Sequence, residues 1–201
     1  MSRITLSGNA SGTGNFTLAS PNSNTDRTLT LPDATGTVVV SGASPALGGV
    51  YLGGTGSANL LDDYEEGTWT PLIRGTGSDP TVTYTSANTG GIYTKVGDMV
   101  FMSFEVRWSA ISGGSGDVYI SGLPFTRNST SNPDGDRGVL DYFFVTVPSG
   151  GIDGFASVAF NTTRVDIGFC RSGASTLSVP VGNLINTNPG YLRASLFYKT
   201  T

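Results

Sequence analysis

Past residue 71 the chain carries apolar residues at every second position in one short run after another, and no three-turn segment repeats them at helical spacing. The clearest run puts Val100, Met102, Phe104, Val106 and Trp108 on one face and Ser103, Glu105 and Arg107 on the other. Residues 92–96 precede it across Gly97-Asp98, which predicts a hairpin. Further strands are expected over residues 81–85, 117–121, 138–147, 155–160, 164–170, 175–179 and 192–199. In the last, Leu192, Ala194, Leu196 and Tyr198 point inward and Arg193, Ser195 and Lys199 outward. Turn residues separate the runs, and the expected fold is all-β: two packed antiparallel sheets in a jelly-roll-like sandwich. Residues 138–147 break the one-sided pattern. Val139, Phe143, Val145 and Val147 fall on one side and Leu140, Tyr142 and Phe144 on the other, so both faces need cover, the second from a neighbouring subunit.

Before residue 60 the pattern thins. Ile4 with Leu6, Phe16 with Leu18, Leu29 with Leu31, and residues 38–40 read as short strands between Gly-, Asn-, Asp- and Pro-rich turns. One or two large apolar residues per strand cannot offset an ordering cost of about 1–2 kcal/mol per backbone residue, so this part is an extended β-arm that needs a partner. Residues 41–59 are uncharged and Gly-rich. They read either as a flexible linker or as a segment packing Leu47, Val50, Tyr51 and Leu52 along an oligomer axis. The division is therefore an arm and connector over residues 1–60 and a β-sandwich domain over 61–201.

Between them lies LLDDYEEGTWTP, residues 60–71, which reads as a junction. It holds the carboxylates Asp62, Asp63, Glu65 and Glu66, with Tyr64 and Trp69 as apolar anchors and Gly67 turning the chain. Arg74 and Lys95 are the expected ion partners of the acids. This sequence also resembles known proteins. LDDYEEGTWTP followed by YTKVGDMVFMSFEV is similar to the C-terminal domains of bacteriophage tail-fibre and related virion appendage proteins. FTLASPNSNTDRTLTLPDATGTVV resembles a segment upstream of trimeric distal domains in phage tail proteins. The resemblance covers about a third of the chain. It implies a homotrimeric, non-enzymatic virion component: a short tail fibre that binds a host surface glycan or protein, or alternatively a capsid decoration or head-fibre protein on the shell. Its partners would be other virion proteins of the tail or capsid, and its location the virion.

Composition narrows the chemistry. Charged residues make up 13% of the 201 residues and the net charge is −4, with eleven Lys and Arg scattered along the chain; no nucleic-acid partner is expected. Membrane insertion is not expected either, since no apolar run reaches spanning length, and MSRITLSGNASG lacks a signal-peptide core, which predicts synthesis in the host cytoplasm. Cys170 is a single cysteine in a strand-like run and reads as a buried inert thiol. Histidine is absent, which removes Ser-His-Asp catalysis and the usual zinc ligand. Paired acids could serve a glycosidase, but the four clustered ones sit in a junction and not a groove, so no enzyme and no cofactor are expected. Residues 132–138, NPDGDRG, are similar to the start of a calcium loop but lack its glycine and terminal glutamate positions, so a polar hairpin loop is expected and no metal. The loops 109–116, 124–137 and 148–154 remain for recognition. Their candidate receptor contacts are Trp108, Arg127, Asn128, Asp134 and Arg137, although Trp108 reads first as a core residue because it continues the apolar face of its strand.

Overall fold

The computed structural model describes Thr5, Gly8 and residues 10–15, 17, 19, 22–28, 30, 48–85, 89–129, 137–143, 145–173, 176–186 and 190–200, with Arg137 and Phe143 described through their backbone. The chain divides into two units, Met1–Pro45 and Ala46–Thr201. In the first, the described residues are exposed and none is in a strand. The apolar residues of the expected arm strands lie outside the described residues.

The second unit is antiparallel β throughout. A two-residue ladder joins β1 (Val50–Tyr51) to β2 (Leu60–Leu61). The larger sheet contains β3 (Tyr64–Trp69), β4 (Leu72–Gly75), β5 (Thr81–Tyr84), β6 (Gly90–Val96), β7 (Met99–Ser112), β8 (Val118–Ser121), β9 (Arg137–Phe143), β10 (Gly151–Val158), β11 (Arg164–Arg171), β12 (Leu177–Ser178) and β13 (Gly190–Lys199). Its ladder runs β3-β6-β7-β13-β9-β10-β11-β8-β4, with β5 on β7 and β12 on β11.

One strand joins the two halves of this ladder. The end of β9 pairs Leu140 with Ala194 of β13, whereas its start pairs Val139 with Phe155 of β10. The ends of the ladder, β3 and β4, are themselves adjacent in sequence, linked through Thr70 and Pro71. The sheet therefore curls back on itself. One core fills the interior, built from the inward positions of both halves: Met102, Phe104, Val106 and Trp108 from β7, Leu192, Leu196 and Tyr198 from β13, Ile73 from β4, Ile120 from β8, and Val165, Ile167 and Phe169 from β11. Edge-on ring pairs tie it together, Trp69 with Phe104 at 5.6 Å and Tyr142 with Phe169 at 5.1 Å between centroids.

Several expectations change here. Residues 64–69 are a full strand paired with β6, and Gly67 does not turn the chain. It is there because the Tyr93 ring lies across it, where an added Cβ would come within 2.5 Å of the phenol oxygen. Gly91 stands inside β6 for the same reason: a Cβ would reach 2.1 Å from the Trp69 indole nitrogen. β9 stops at Phe143, so Val145, which bridges to Leu184, is buried and does not continue the side of Val139. Cys170 is half-buried, not buried, and is a free thiol.

Candidate subunit face

Strand alternation divides the acids of residues 62–66. Tyr64, Glu66 and Thr68 point to the outer face of β3, and Glu65, Gly67 and Trp69 to the inner. Among the described residues each acid but the exposed Asp62 has its own partner. The buried Lys95 ammonium pairs with Asp63 and also lies 5.6 Å from the centre of the Phe125 ring. The Tyr93 hydroxyl donates to Glu65 and the Tyr64 hydroxyl to Glu66. These bonds to carboxylates hold both phenols above their usual range. Lys95 is a partner as expected; Arg74 is not, since it pairs with Asp79 at 2.7 Å. Trp69 is buried, but Tyr64 is 59% exposed and anchors no core.

Among the described residues, the expected receptor contacts Trp108, Arg127 and Asn128 do not come together on a surface. Trp108 is fully buried and its indole donates to the Ile185 carbonyl at 3.1 Å, so it is closed to any receptor. Arg127 is buried as well. Its guanidinium donates to the Val158 carbonyl and stacks at 3.7 Å on the Phe160 ring, clamping the loop to β10. Asn128 is half-buried and its backbone N–H donates to the Lys199 carbonyl at 2.8 Å. Asp134, the side chain of Arg137 and the calcium-like stretch at 132–136 lie outside the described residues. Two of the expected loops are shorter than expected, because β7 extends to Ser112 and β10 starts at Gly151.

What the structure does assemble is the outer face of β3, β6, β7, β13 and β9. Register places Thr68, Ile92, Ser103 and Ser195 in one row, with Glu66, Thr94, Phe101 and Phe197 in the next. Ile92 is 61% exposed, Phe101 51% and Val139 81%, and the Phe101 and Phe197 rings lie 6.0 Å apart. Beside them runs a charged row. Arg193 pairs with Asp141 across the ladder and approaches Glu105 at 4.0 Å, and its bond to Asp141 holds the guanidinium above its usual range. A concavity of about 930 Å³ opens over this face, lined by Thr68, Ile92, Ser103, Glu105, Val139 and Arg193 among others. Exposed aromatic and branched residues with one charged border suit burial against another protein surface.

The sequence carried a signal for this face that pattern reading passed over. Phe101 interrupts the polar side of β7 and Phe197 the polar side of β13, and the two residues are cross-strand partners. Only the expectation that Val139 needs outside cover pointed to the same surface.

No family model and no curated protein matches the chain. Among solved structures it is similar to the Dettilon tailspike protein (gp208), with a TM-score of 0.54 and 20% identity over 69% of this chain. That match takes in 24% of the tailspike, so the chain spans about a quarter of its neighbour's length. At this identity the likeness is one of fold.

Proposed function

We propose that this protein is a non-enzymatic structural component of a bacteriophage virion, a short tail fibre that meets the host surface and assembles as a homotrimer. The observation that carries the reading is the fold shared with a tailspike over more than two thirds of the chain. The tail-fibre resemblance of residues 61–71 and 93–106 supports it independently, as does the outer face just described. The occupant of that face is a second copy of the chain. Its apolar rows would be covered by the neighbouring subunit, and the Asp141–Arg193–Glu105 row would stay at the solvent border, where exposed pairs contribute only about 0–1 kcal/mol.

The test is in two parts. Quantitative mass spectrometry of purified particles is expected to give a few to a few tens of copies, and purified protein is expected to adsorb to host cells and to block infection. Hundreds of copies per particle together with no adsorption would overturn the fibre reading in favour of a shell protein.

A further inference from the structure

The outer face of β3, β6, β7, β13 and β9 supplies one half of a contact. A closed homotrimer is built from heterologous contacts, in which two different patches of the chain meet, so this face needs a second, unlike surface on the neighbouring copy. Among the described residues, three places outside the face expose a single large apolar side chain, Ile152, Phe160 and Ile185, and Phe160 already carries the Arg127 guanidinium at 3.7 Å. The β1–β2 hairpin exposes three in succession: Val50, Tyr51 and Leu52 are 41%, 52% and 59% exposed.

The make-up of this hairpin calls for cover. Residues 48–61 include no charged residue, and none of them is buried. Pairing sets Val50 beside Leu61 and Tyr51 beside Leu60, so apolar side chains stand on both of its faces. Its ladder is two pairs long, and the Leu52 N–H closes it by donating to the Asn59 carbonyl at 2.8 Å. A two-stranded hairpin of this kind is at best marginally stable in water without a surface to lie on.

Its position places it at the apolar end of the outer face. Only Asp62 and Asp63 separate it from β3, a span of at most about 7 Å, and the Asp63 carbonyl accepts from the Gly97 N–H at 2.7 Å. The hairpin therefore starts beside the row of Tyr64, Val96 and Met99, with Phe101 and Phe197 in the next row and the charged row of Arg193 beyond them. In the single chain it leaves Ile92 and Phe101 more than half exposed, so it does not cover its own face. An uncharged apolar hairpin suits the apolar rows of a neighbour and leaves Glu105, Asp141 and Arg193 at the border. Resting on the reading of this face as a subunit contact, we propose that the β1–β2 hairpin of each chain lies on the outer face of the next, with Val50, Tyr51 and Leu52 covering Ile92, Phe101 and Phe197. Three such contacts close the ring, each chain giving one hairpin and receiving one.

The experiment uses full-length chains in which Cys170→Ser removes the native thiol. Chains carrying Leu52→Cys are co-expressed with differently tagged chains carrying Ile92→Cys and treated with a short bis-maleimide. The expected product is a covalent pair with one chain of each kind, and chains carrying both substitutions should give covalent trimers. Val50→Asp combined with Leu52→Asp is expected to raise the dissociation constant by more than about tenfold, because the new carboxylates would be desolvated on assembly. None of the hairpin residues is buried, so that variant keeps the parental β-sheet spectrum, and Ile152→Asp should leave the dissociation constant unchanged. A parent that sediments as a single chain would remove the subunit reading and this proposal with it. A trimeric parent that cross-links only Leu52→Cys to Leu52→Cys, that gives no mixed pair, or whose dissociation constant moves less than about twofold in the hairpin variant or as far in Ile152→Asp, would overturn the hairpin's role alone.

Discussion

The residue with most at stake in the fold is Trp69. Its indole is buried against Phe104 and occupies the space left by the missing side chain of Gly91, so removing the ring empties a cavity that backbone on one side cannot close. Trp69→Ala is expected to cost about 3–5 kcal/mol in urea unfolding, and Gly91→Val a comparable amount by overpacking the same spot. An unchanged denaturation midpoint in either variant would show that the seat is not as described. Tyr198 gives a second test at this scale. It is buried and its hydroxyl donates to the Phe125 carbonyl at 3.0 Å, and burial pushes the phenol up to about 12. Its folded value lies above its unfolded value of about 10, so the folded state retains the proton that the unfolded chain gives up. The stabilisation is complete below pH 10 and is lost as pH rises through about 12. Denaturation curves between pH 9 and 12 should show stability falling, and Tyr198→Phe should make that fall shallower while lowering stability at neutral pH by about 1 kcal/mol.

At the scale of elements, the corner between β3 and β4 decides how the sheet closes. Trp69 ends one strand on the inner face, Thr70 and Pro71 turn the chain, and Ile73 enters the core from the opposite end of the ladder. Gly122, just after β8, packs against this corner at φ +103°, and a Cβ there would lie 2.5 Å from the Thr70 carbonyl oxygen. Gly122→Ala is therefore expected to destabilise by about 1–3 kcal/mol through strain and clash together. A melting midpoint equal to the parent would show that the corner tolerates movement. This corner also marks what the sequence could and could not reveal. β7 and β13 were legible because every second position is apolar on the core side, from Val100 to Trp108 and from Leu192 to Tyr198. The strand Tyr64–Trp69 was hidden because its acids imitate a solvated turn and its Gly67 imitates a breaker. A strand can hold such residues when a neighbour such as Tyr93 supplies the missing bulk, and that neighbour is 26 positions away in sequence. Two of the described receptor candidates, Trp108 and Arg127, differ in how far their burial could be read. The burial of Trp108 was legible, because it continues the apolar face of β7, whereas that of Arg127 depends on its pairing with Phe160, which no local pattern encodes.

For the whole molecule, the open question is which surfaces the single chain leaves to be covered. Ile92, Phe101 and Val139 stand on three strands of one outer face, β6, β7 and β9, and each such side chain taken out of water contributes at most about 1.5–3 kcal/mol. Covering three or four such residues at each boundary would offset the ordering of their side chains, and the proposed assembly must also offset about 4–15 kcal/mol of lost translational and rotational freedom, so it depends on the rows being covered together. A charge at the centre of the patch reverses the balance, because an unpaired carboxylate would have to be desolvated on assembly. Phe101→Asp changes an exposed position of β7 and leaves the inward residues of that strand untouched, so the fold of the chain is expected to persist while assembly fails. Sedimentation at micromolar concentration should give the parent as a species of three times the 20.8 kDa chain mass, and Phe101→Asp as a single chain with the parental β-sheet spectrum. Arg193→Ala, at the charged border, should keep the parental mass, since the pair it removes is exposed. A parent that sediments as a monomer would leave the apolar rows without their proposed occupant, and a Phe101→Asp variant that still assembles would move the interface to another surface.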